Sequence, residues 1–419
     1  MLSQQANDEL TRVGPGTPMG ELLRHYWYPV CFVRELEAFP IKKVKLLGEV
    51  LVAYKTPDGH YGIAAERCAH RGASMLYGMV EPGGIRCGYH GWLYDLAGRC
   101  IEQPAEPPGS SYKDKICLRS GQAQSLGGLV WAYIGKPPAP VLPRYDGYVM
   151  DGVRDVGHAV IPCNWLQTME NAVDPYHVEW LHNRYFEWLK QRDGGVVPSA
   201  FARVEHVKVA FDAFEHGIIK RRLLKGQTED NDDWKIGHPL VFPYCMWVGG
   251  NGTYQMQIRV PRDDDETWVA FYTCHAPDGL PASTAGTIVD YELPWRRDDG
   301  SYITDYIEGQ DIMAWVTQGR IADRSTEHLA VSDAGIIALR RMFRHSLDAV
   351  AAGEDPVAVT RTPHDRIALP LERSKFGAGA EFSLQWIDAG SQRYSPQAAA
   401  LRALHLDAAA ARGERLAVG

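Results

Sequence analysis

The sequence lacks the features that mark membrane, secreted and nucleic-acid-binding proteins. No stretch of its 419 residues approaches the ~18 uncharged apolar residues that a membrane-spanning helix needs. The net charge is −8 and the lysines and arginines form no run, so neither nucleic acid nor an anionic membrane is an expected partner. The first residues, Met1-Leu2-Ser3, do not open a basic and then apolar secretory signal. We therefore expect a cytoplasmic protein.

Cysteine is also scarce, with eight residues in the whole chain. Because no secretion signal is recognisable, we expect reduced thiols rather than a disulfide framework. Six of the cysteines are scattered and fit buried structural thiols. The other two, Cys68 and Cys87, lie two and three positions before a histidine, a pattern that indicates metal binding.

The first third of the chain has the pattern of a small all-β domain. Between about residues 27 and 135, apolar or alternating runs such as 49–54 and 127–134 are separated by glycines and by the turn 57–59. Runs of this length bounded by turn residues are typical of strands. The proline-rich stretch 136–143 then marks a predicted domain boundary.

Beyond this boundary the sequence becomes a mixture of helices and strands. Helical segments are predicted over about 164–190 and 303–350, with strands such as 254–260 between them. The length of the chain fits two domains. We therefore predict an α+β protein with two domains, covering residues 1–143 and 144–419.

Two Cys–His pairs form the first candidate metal site. One residue separates Cys68 from His70, two separate Cys87 from His90, and sixteen lie between the pairs. Two thiolates and two imidazoles could hold zinc, or a [2Fe–2S] cluster with cysteines on one iron and histidines on the other. In zinc fingers, two cysteines usually lie close together in the sequence and so do two histidines, whereas each pair here consists of one cysteine and one histidine. The spacing therefore favours a Rieske cluster over zinc.

The residues beside these pairs distinguish between classes of Rieske protein. Gly72 and Gly91 lie next to the pairs, where glycine lets backbone N–H groups approach cluster sulfur closely. Respiratory Rieske proteins have an additional disulfide-bonded cysteine on each loop, and here these positions are Ala73 and Tyr89. Respiratory Rieske proteins are also membrane-anchored, and no anchor is recognisable here. Both differences favour an oxygenase.

A polar cluster on the first predicted helix of the second domain forms the second candidate metal site. Asn171, Asp174 and His177 recur at every third position, near one face of a helix. His182 follows five positions later, which on a straight helix points about 140° away from His177. The two histidines can share a metal only if the helix is distorted or ends between them. Asp174-Pro175 resembles an N-cap with a first-turn proline, so a break there is expected.

An iron site of this kind needs a carboxylate as its third ligand. Two histidines and one carboxylate leave positions open on Fe(II) for O2, as non-haem oxygenases require. Asp311 is the best candidate, because it is an acidic residue on an otherwise apolar helical stretch. Glu308 is the alternative ligand. Histidines that merely pack in the core or lie at the surface are the other interpretation of His177 and His182.

Together these motifs resemble the Rieske non-haem iron oxygenases over nearly the whole chain. The resemblance is carried by the two Cys–His pairs, the Asp-x2-His-x4-His motif and the downstream Gln-Asp. Residues 10–20 and 318–329 look like the phthalate dioxygenase branch of the family. Within that branch, residues 157–167 and 178–182 are most similar to 5,5'-dehydrodivanillate O-demethylase oxygenase subunits.

The resemblance implies a role for each candidate residue. The positions implied to bind the [2Fe–2S] cluster are Cys68, His70, Cys87 and His90. The positions implied to bind mononuclear Fe(II) are His177, His182 and Asp311. Asp174 would bridge a cluster histidine of one subunit to an iron-binding histidine of the next, and Asn171 would lie beside the iron.

The resemblance also implies an architecture and partners. An N-terminal all-β Rieske domain would be followed by a catalytic domain with an antiparallel sheet flanked by helices, of the helix-grip, START-like type. Oxygenases of the phthalate branch are head-to-tail homotrimers, sometimes stacked as hexamers, because cluster and iron in one subunit are too far apart for efficient transfer. Electrons would come from NAD(P)H through a separate reductase or ferredoxin. O2 and an aromatic acid would be the substrates.

Three functions follow from this resemblance. The first is O-demethylation of a methoxylated, lignin-derived aromatic acid such as 5,5'-dehydrodivanillate. The second is phthalate-type cis-dihydroxylation of an aromatic ring, and the third is a Rieske electron carrier without catalysis, which requires that His177 and His182 bind no iron. For an acid substrate, Arg259 on a predicted strand is a candidate carboxylate partner, with a surface arginine as the alternative.

Overall fold

The chain opens with two short helices that precede the first sheet. This computed structural model describes residues 1–194, 204–278, 288–372 and 379–414. The helices are α1 (Gln4–Thr11) and α2 (Pro18–Leu23). Ser3 and Thr17 cap their N-termini, because each side-chain oxygen accepts a hydrogen bond from the backbone N–H three residues later.

Two antiparallel sheets build the region that was predicted as all-β. The strands are β1 (Tyr28–Phe32), β2 (Ile41–Leu46), β3 (Glu49–Lys55), β4 (Tyr61–Ala65), β5 (Met79–Glu81), β6 (Gly84–Arg86), β7 (Leu93–Asp95), β8 (Cys100–Glu102), β9 (Ser120–Leu126) and β10 (Leu129–Tyr133). The larger sheet has the order β1-β10-β9-β4-β3-β2, and the smaller one β5-β6-β7-β8. A short helix, α3 (Val33–Ala38), and 3-10 turns at Met75–Tyr77 and Tyr112–Lys115 are additions to the predicted pattern.

An eight-stranded sheet forms the centre of the second region. Its strands are β11 (Val153–Ile161), β12 (His206–Phe214), β13 (Gly217–Leu224), β14 (His238–Val241), β15 (Cys245–Gly250), β16 (Thr253–Pro261), β17 (Thr267–His275) and β18 (Ile288–Glu292). The order is β12-β13-β14-β15-β16-β17-β11-β18. All neighbours are antiparallel except β11 and β18, which run parallel, so the sheet is mixed at one edge. The α+β architecture expected for a Rieske oxygenase is confirmed.

Helices flank this sheet. They are α4 (Asp146–Val149), α5 (Trp165–Val173), α6 (Tyr176–Glu179), α7 (Phe186–Arg192), α8 (Asp232–Lys235), α9 (Ile307–Thr317), α10 (Ala334–Ala351), α11 (Gly379–Ala389) and α12 (Ala398–Ala411), with a π-helical turn at Trp180–Tyr185 and 3-10 turns at Val331–Asp333 and Ser391–Tyr394. The helix predicted over about 164–190 is therefore interrupted, and the one predicted over 303–350 is two helices. In the part of the chain that the structure describes, no helix is long and apolar enough to cross a membrane.

The two regions share one apolar core. Its buried members come from both sides of the proline-rich stretch, for example Tyr28 and Trp131 before it and Val156 and Met256 after it. A buried apolar contact of this kind stabilises one region against the other at roughly 25 cal/mol per Å². The stretch 136–143 therefore joins two regions that pack tightly together.

A buried ionic cluster ties the N-terminal helix to the second region. Arg324 and Arg340 both pair with Glu170 on α5, at 2.6 and 2.7 Å. Arg324 also donates to Oδ1 of Asn7 on α1 at 3.0 Å. Because Arg324 and Glu170 are buried, loss of Glu170 would remove the carboxylate that pairs with Arg324, whereas loss of Arg324 would leave Glu170 paired with Arg340 alone. The ionic cluster thus holds α5, which carries Asn171 near its C-terminal end, against α1 and α10.

Candidate metal centres

The two Cys–His pairs lie together at one end of the first region. Cys68 and His70 are on the loop after β4, and Cys87 and His90 are on the loop after β6. Both cysteines are buried, and the two imidazole rings are 4.6 Å apart between centroids. The four side chains that the spacing singled out are therefore brought together by the fold.

Both ligand loops use the same backbone turn. The N–H of Gly72 donates to the carbonyl of Cys68 at 2.9 Å, and that of Gly91 donates to the carbonyl of Cys87 at 3.0 Å. Each glycine has a left-handed φ, 72° and 73°, which side chains rarely tolerate. The glycines thus close two matching loops, each with its cysteine buried and its histidine near the tip.

The surroundings of the pairs fit a [2Fe–2S] cluster. Trp92 stacks on the ring of His70 at 4.2 Å and fixes its orientation. Nδ1 of His70 is buried and has no hydrogen-bond partner among the described residues, as expected for a nitrogen that binds metal. The hydroxyl of Tyr94 lies 3.1 Å from Sγ of Cys68. Two thiols and two imidazoles, one of them with an unsatisfied ring nitrogen, are the donor set that this cluster requires.

The second candidate site unites two histidines and one aspartate from different elements. Nε2 of His182 lies 3.1 Å from Oδ1 of Asp311 on α9, and Nε2 of His177 lies 3.9 Å from the same oxygen. One potential ligand atom from each residue falls within 4.8 Å of the others. This is the composition of a 2-His-1-carboxylate iron site.

A break and a wide helical turn make the histidines converge. α5 ends at Val173, α6 begins after Pro175, and Trp180–Tyr185 forms a π-helical turn. His182 lies in this wider turn and His177 in α6 just before it, and their ring centroids are 5.1 Å apart. The expected distortion is present, and the π-turn is its physical form.

Asp174 and Asn171 lie beside this triad. Both carboxylate oxygens of Asp174 accept backbone N–H groups, from Tyr176 at 2.9 Å and His177 at 3.2 Å, so Asp174 caps α6. Oδ2 of Asp174 also lies 3.6 Å from Nδ1 of His177. Nδ2 of Asn171 donates to Oδ1 of Asp311 at 3.4 Å. Both residues therefore contact members of the triad.

The charges of the two acidic candidates differ. Burial alone raises the pKa of Asp311, but the neighbouring His182 and His177 outweigh this effect and hold it below its usual range. Burial raises the pKa of Glu308 to about 7. Glu308 accepts a hydrogen bond from Ser391 at 2.9 Å instead of joining the triad. The geometry therefore favours Asp311 over Glu308.

A cavity next to the triad has a basic wall and an apolar wall. It is lined on the metal side by Asn171, His177, His182 and Asp311. The basic wall consists of Lys220, Arg222 and His238, and the apolar wall of Met246, Val248 and Trp386. The basic residues were missed from the sequence, although the alternation of Lys220 and Arg222 on a strand could have indicated a shared face.

Arg259 is buried, so the alternative of a surface arginine is wrong. Its guanidinium donates to the backbone carbonyl of Gln257 at 3.1 Å and to Oε1 of the same residue at 2.9 Å. Burial lowers the pKa of Arg259 to about 10. Gln257 lines the cavity and Arg259 does not, so Arg259 does not contact a ligand there directly.

Comparisons with known proteins agree with this geometry. Residues 26–118 match the Rieske [2Fe-2S] domain, residues 144–326 the ring hydroxylating alpha subunit (catalytic domain), and residues 298–371 the LigXa C-terminal domain like family. The matches make the zinc and electron-carrier alternatives wrong, because they cover both a cluster domain and a catalytic domain.

Individual relatives extend over most of the chain. It is 40% identical to the 5,5'-dehydrodivanillate O-demethylase oxygenase subunit of Sphingobium sp., over 88% of this chain and 86% of that protein. It is 30% identical to the phthalate 4,5-dioxygenase oxygenase subunit of Pseudomonas putida, over 93% and 94% of the two chains. The terminal oxygenase of carbazole 1,9a-dioxygenase from Novosphingobium sp. KA1 shares the fold, with a TM-score of 0.58, 19% identity and coverage of 81% and 94%. The chain belongs to the Rieske non-haem iron oxygenases, as the oxygenase component that carries a [2Fe–2S] cluster and a mononuclear iron.

Proposed function

We propose that this oxygenase O-demethylates a methoxylated aromatic acid of the 5,5'-dehydrodivanillate type. The observation that carries the proposal is the cavity beside the triad, which combines a basic wall with an apolar wall. An aromatic ring suits the apolar wall, and a carboxylate suits the basic one. The 40% identity to a dehydrodivanillate O-demethylase subunit supports the choice of a methoxylated acid.

Lys220 is the residue that we expect to meet the substrate carboxylate. It is buried at the cavity wall, and its Nζ donates to the backbone carbonyl of Ala172 at 2.9 Å. Arg222, two positions along the same strand, pairs with Asp233 at 3.0 Å and with Glu372 at 3.4 Å. Arg222 is thus held by carboxylates of the protein, and Nζ of Lys220 donates to the backbone carbonyls of Ala172 and Asp174. We propose that the ammonium of Lys220, a cation at the cavity wall, meets the carboxylate of an anionic substrate.

The metal-binding roles are part of the same proposal. The residues proposed to hold the cluster are Cys68, His70, Cys87 and His90. The residues proposed to hold mononuclear iron are His177, His182 and Asp311. The iron, when bound, supplies O2 activation with electrons that a separate reductase takes from NAD(P)H and the cluster passes on. The residues that line the cavity would place the substrate against this site.

Asp174 is proposed to connect neighbouring subunits. It is partly exposed, and its Oδ2 faces Nδ1 of His177, so that it can hold a proton at that nitrogen. Trp180, six residues after Asp174, is exposed, and so are Tyr77 and Tyr89 near the cluster loops. Apolar side chains exposed at both places support a head-to-tail homotrimer, in which the cluster tip of one subunit reaches Asp174 of the next.

A single-turnover reaction tests the proposed chemistry. The cluster-reduced protein is mixed with O2 and a panel of methoxylated and carboxylated arenes, and products are identified by mass together with formaldehyde. O-demethylation predicts one phenol and one formaldehyde per turnover, because the hydroxylated methyl group leaves as formaldehyde. A diol without formaldehyde would instead establish ring dihydroxylation, the activity named for the phthalate 4,5-dioxygenase relative.

A further inference from the structure

Gln310 is a buried residue that contacts one histidine of the iron triad without belonging to the triad. Its Oε1 lies 3.0 Å from Nδ1 of His182. Its Nε2 donates to the backbone carbonyl of Thr304 at 3.0 Å. The side chain has no exposure to solvent, so water cannot replace either contact.

The contact with Thr304 determines which way the amide of Gln310 points. A backbone carbonyl only accepts hydrogen bonds, so the group beside it must be the amide nitrogen. The oxygen Oε1 therefore faces His182. Because Oε1 also only accepts, Nδ1 of His182 must carry a proton, and the lone pair of the neutral ring lies on Nε2.

The lone pair of His182 is directed at the rest of the triad. Nε2 lies 3.1 Å from Oδ1 of Asp311, which follows Gln310 directly on α9. We infer that Gln310 is a positioning residue of the iron site, which holds His182 in the Nδ1-protonated tautomer with Nε2 facing the metal. This inference rests on the proposed triad of His177, His182 and Asp311.

The two histidines of the triad are held by chemically different partners. Nδ1 of His177 faces the carboxylate of Asp174, which is partly exposed, at 3.6 Å. Nδ1 of His182 faces a neutral amide inside the protein. One histidine is thus linked to the surface at which a second subunit is proposed to bind, and the other to the core. Gln310 would therefore hold the ring of His182 in one orientation within the core.

The affinity for Fe(II) tests this inference without any turnover. The full-length protein, with its cluster intact and its mononuclear iron removed by a chelator, is titrated anaerobically with Fe(II) alone. Gln310→Met removes the acceptor for Nδ1–H, and we expect Fe(II) to bind about 10–100-fold more weakly. Gln310→Glu keeps an oxygen opposite Nδ1 but loses the amide donor to Thr304, and we expect affinity within about threefold of the native value, or tighter. Gln392→Met, at another fully buried glutamine, is the matched control and should leave the affinity unchanged.

The outcomes separate positioning from a structural role. Equal weakening in Gln310→Met and Gln310→Glu would overturn the inference, because Gln310 would then act through Thr304 and helix packing. Unchanged affinity in Gln310→Met would overturn it as well. His182→Ala distinguishes these results from failure of the triad itself: full Fe(II) affinity in that variant would mean that His182 is no ligand, and both proposals would fall.

A measurement on the native chain makes the inference independent of how the variants fold. Nitrogen-15 NMR of histidine in the iron-free protein reports which ring nitrogen of His182 carries the proton. We expect a proton on Nδ1, whether or not Nε2 also carries one beside Asp311, and an Nδ1 without a proton would overturn the inference. The absorbance of the cluster per chain verifies the folding of the first region in each variant, and far-UV circular dichroism verifies that of the second region.

Discussion

Replacing Tyr94 by phenylalanine should lower the reduction potential of the cluster. Tyr94 is fully buried, and its hydroxyl lies 3.1 Å from Sγ of Cys68. Beside a metal-bound thiolate the hydroxyl can only serve as the donor. Its hydrogen bond stabilises the reduced cluster more than the oxidised one, because the reduced cluster carries one more negative charge.

The size of the shift follows from this hydrogen bond. A hydrogen bond to a charged group contributes about 1.5–3 kcal/mol in total. Only the part that differs between the two redox states affects the potential, and we take it as about 1–2 kcal/mol. For a one-electron couple, about 1.4 kcal/mol corresponds to about 59 mV. The expected change is therefore a decrease of about 40–85 mV.

A redox titration of the full-length protein, followed by the visible absorbance of the cluster, measures this shift. Tyr54→Phe is the matched control, because Tyr54 belongs to the same buried core and its hydroxyl has no hydrogen-bond partner among the described residues. The control should change the potential by less than about 15 mV. A Tyr94→Phe protein with full cluster content and an unchanged or higher potential would refute the reasoning.

Two further predictions concern binding and stability. Lys220→Met should raise the KM for a carboxylated arene about 10–100-fold and leave binding of its methyl ester nearly unchanged, because only the acid carries the charge that Lys220 meets. Exposed Lys208→Met is its control, and an equal loss for acid and ester would contradict the proposed contact. Arg324→Met should lower the free energy of unfolding by about 1.5–3 kcal/mol, as measured by denaturant titration, since it removes one of the two arginines that pair with buried Glu170 while Arg340 remains. Arg344→Met removes a surface ion pair and should lower the free energy of unfolding by less than about 1 kcal/mol. An equal loss of stability in the two variants would contradict the idea that burial makes the pair of Arg324 more important.

The parts of the cluster site that the sequence predicted are those that depend on local spacing. Cys68 and His70 share one loop, Cys87 and His90 share the other, and Gly72 marks the turn that closes the first loop. Such short-range patterns constrain the backbone directly, so the four positions proposed as cluster ligands could be chosen without knowledge of the fold. Tyr94 could not be predicted as a partner of Cys68 from spacing alone. Tyr94 is on β7, 26 residues after Cys68, and only the fold brings the two side chains together.

The second site was harder to predict from the sequence, because it depends on how separate helices pack. The spacing of His177 and His182 required a distortion, but the π-turn that supplies it has no sequence signature that we could use. Asp311 and Glu308 lie one helical turn apart on α9, and only the packing of that helix decides which carboxylate faces the histidines. Lys220 was missed because the sequence does not reveal that its strand borders the cavity.

The iron content of the native protein and of an Asp311→Ala variant is the most direct test of the proposed catalytic centre. Iron per chain is measured together with cluster absorbance, so that the two sites are counted separately. The native chain should hold about three irons, and the variant about two with undiminished cluster absorbance. A native chain with only about two irons, or a variant that retains about three, would contradict the assignment of His177, His182 and Asp311 as the iron site.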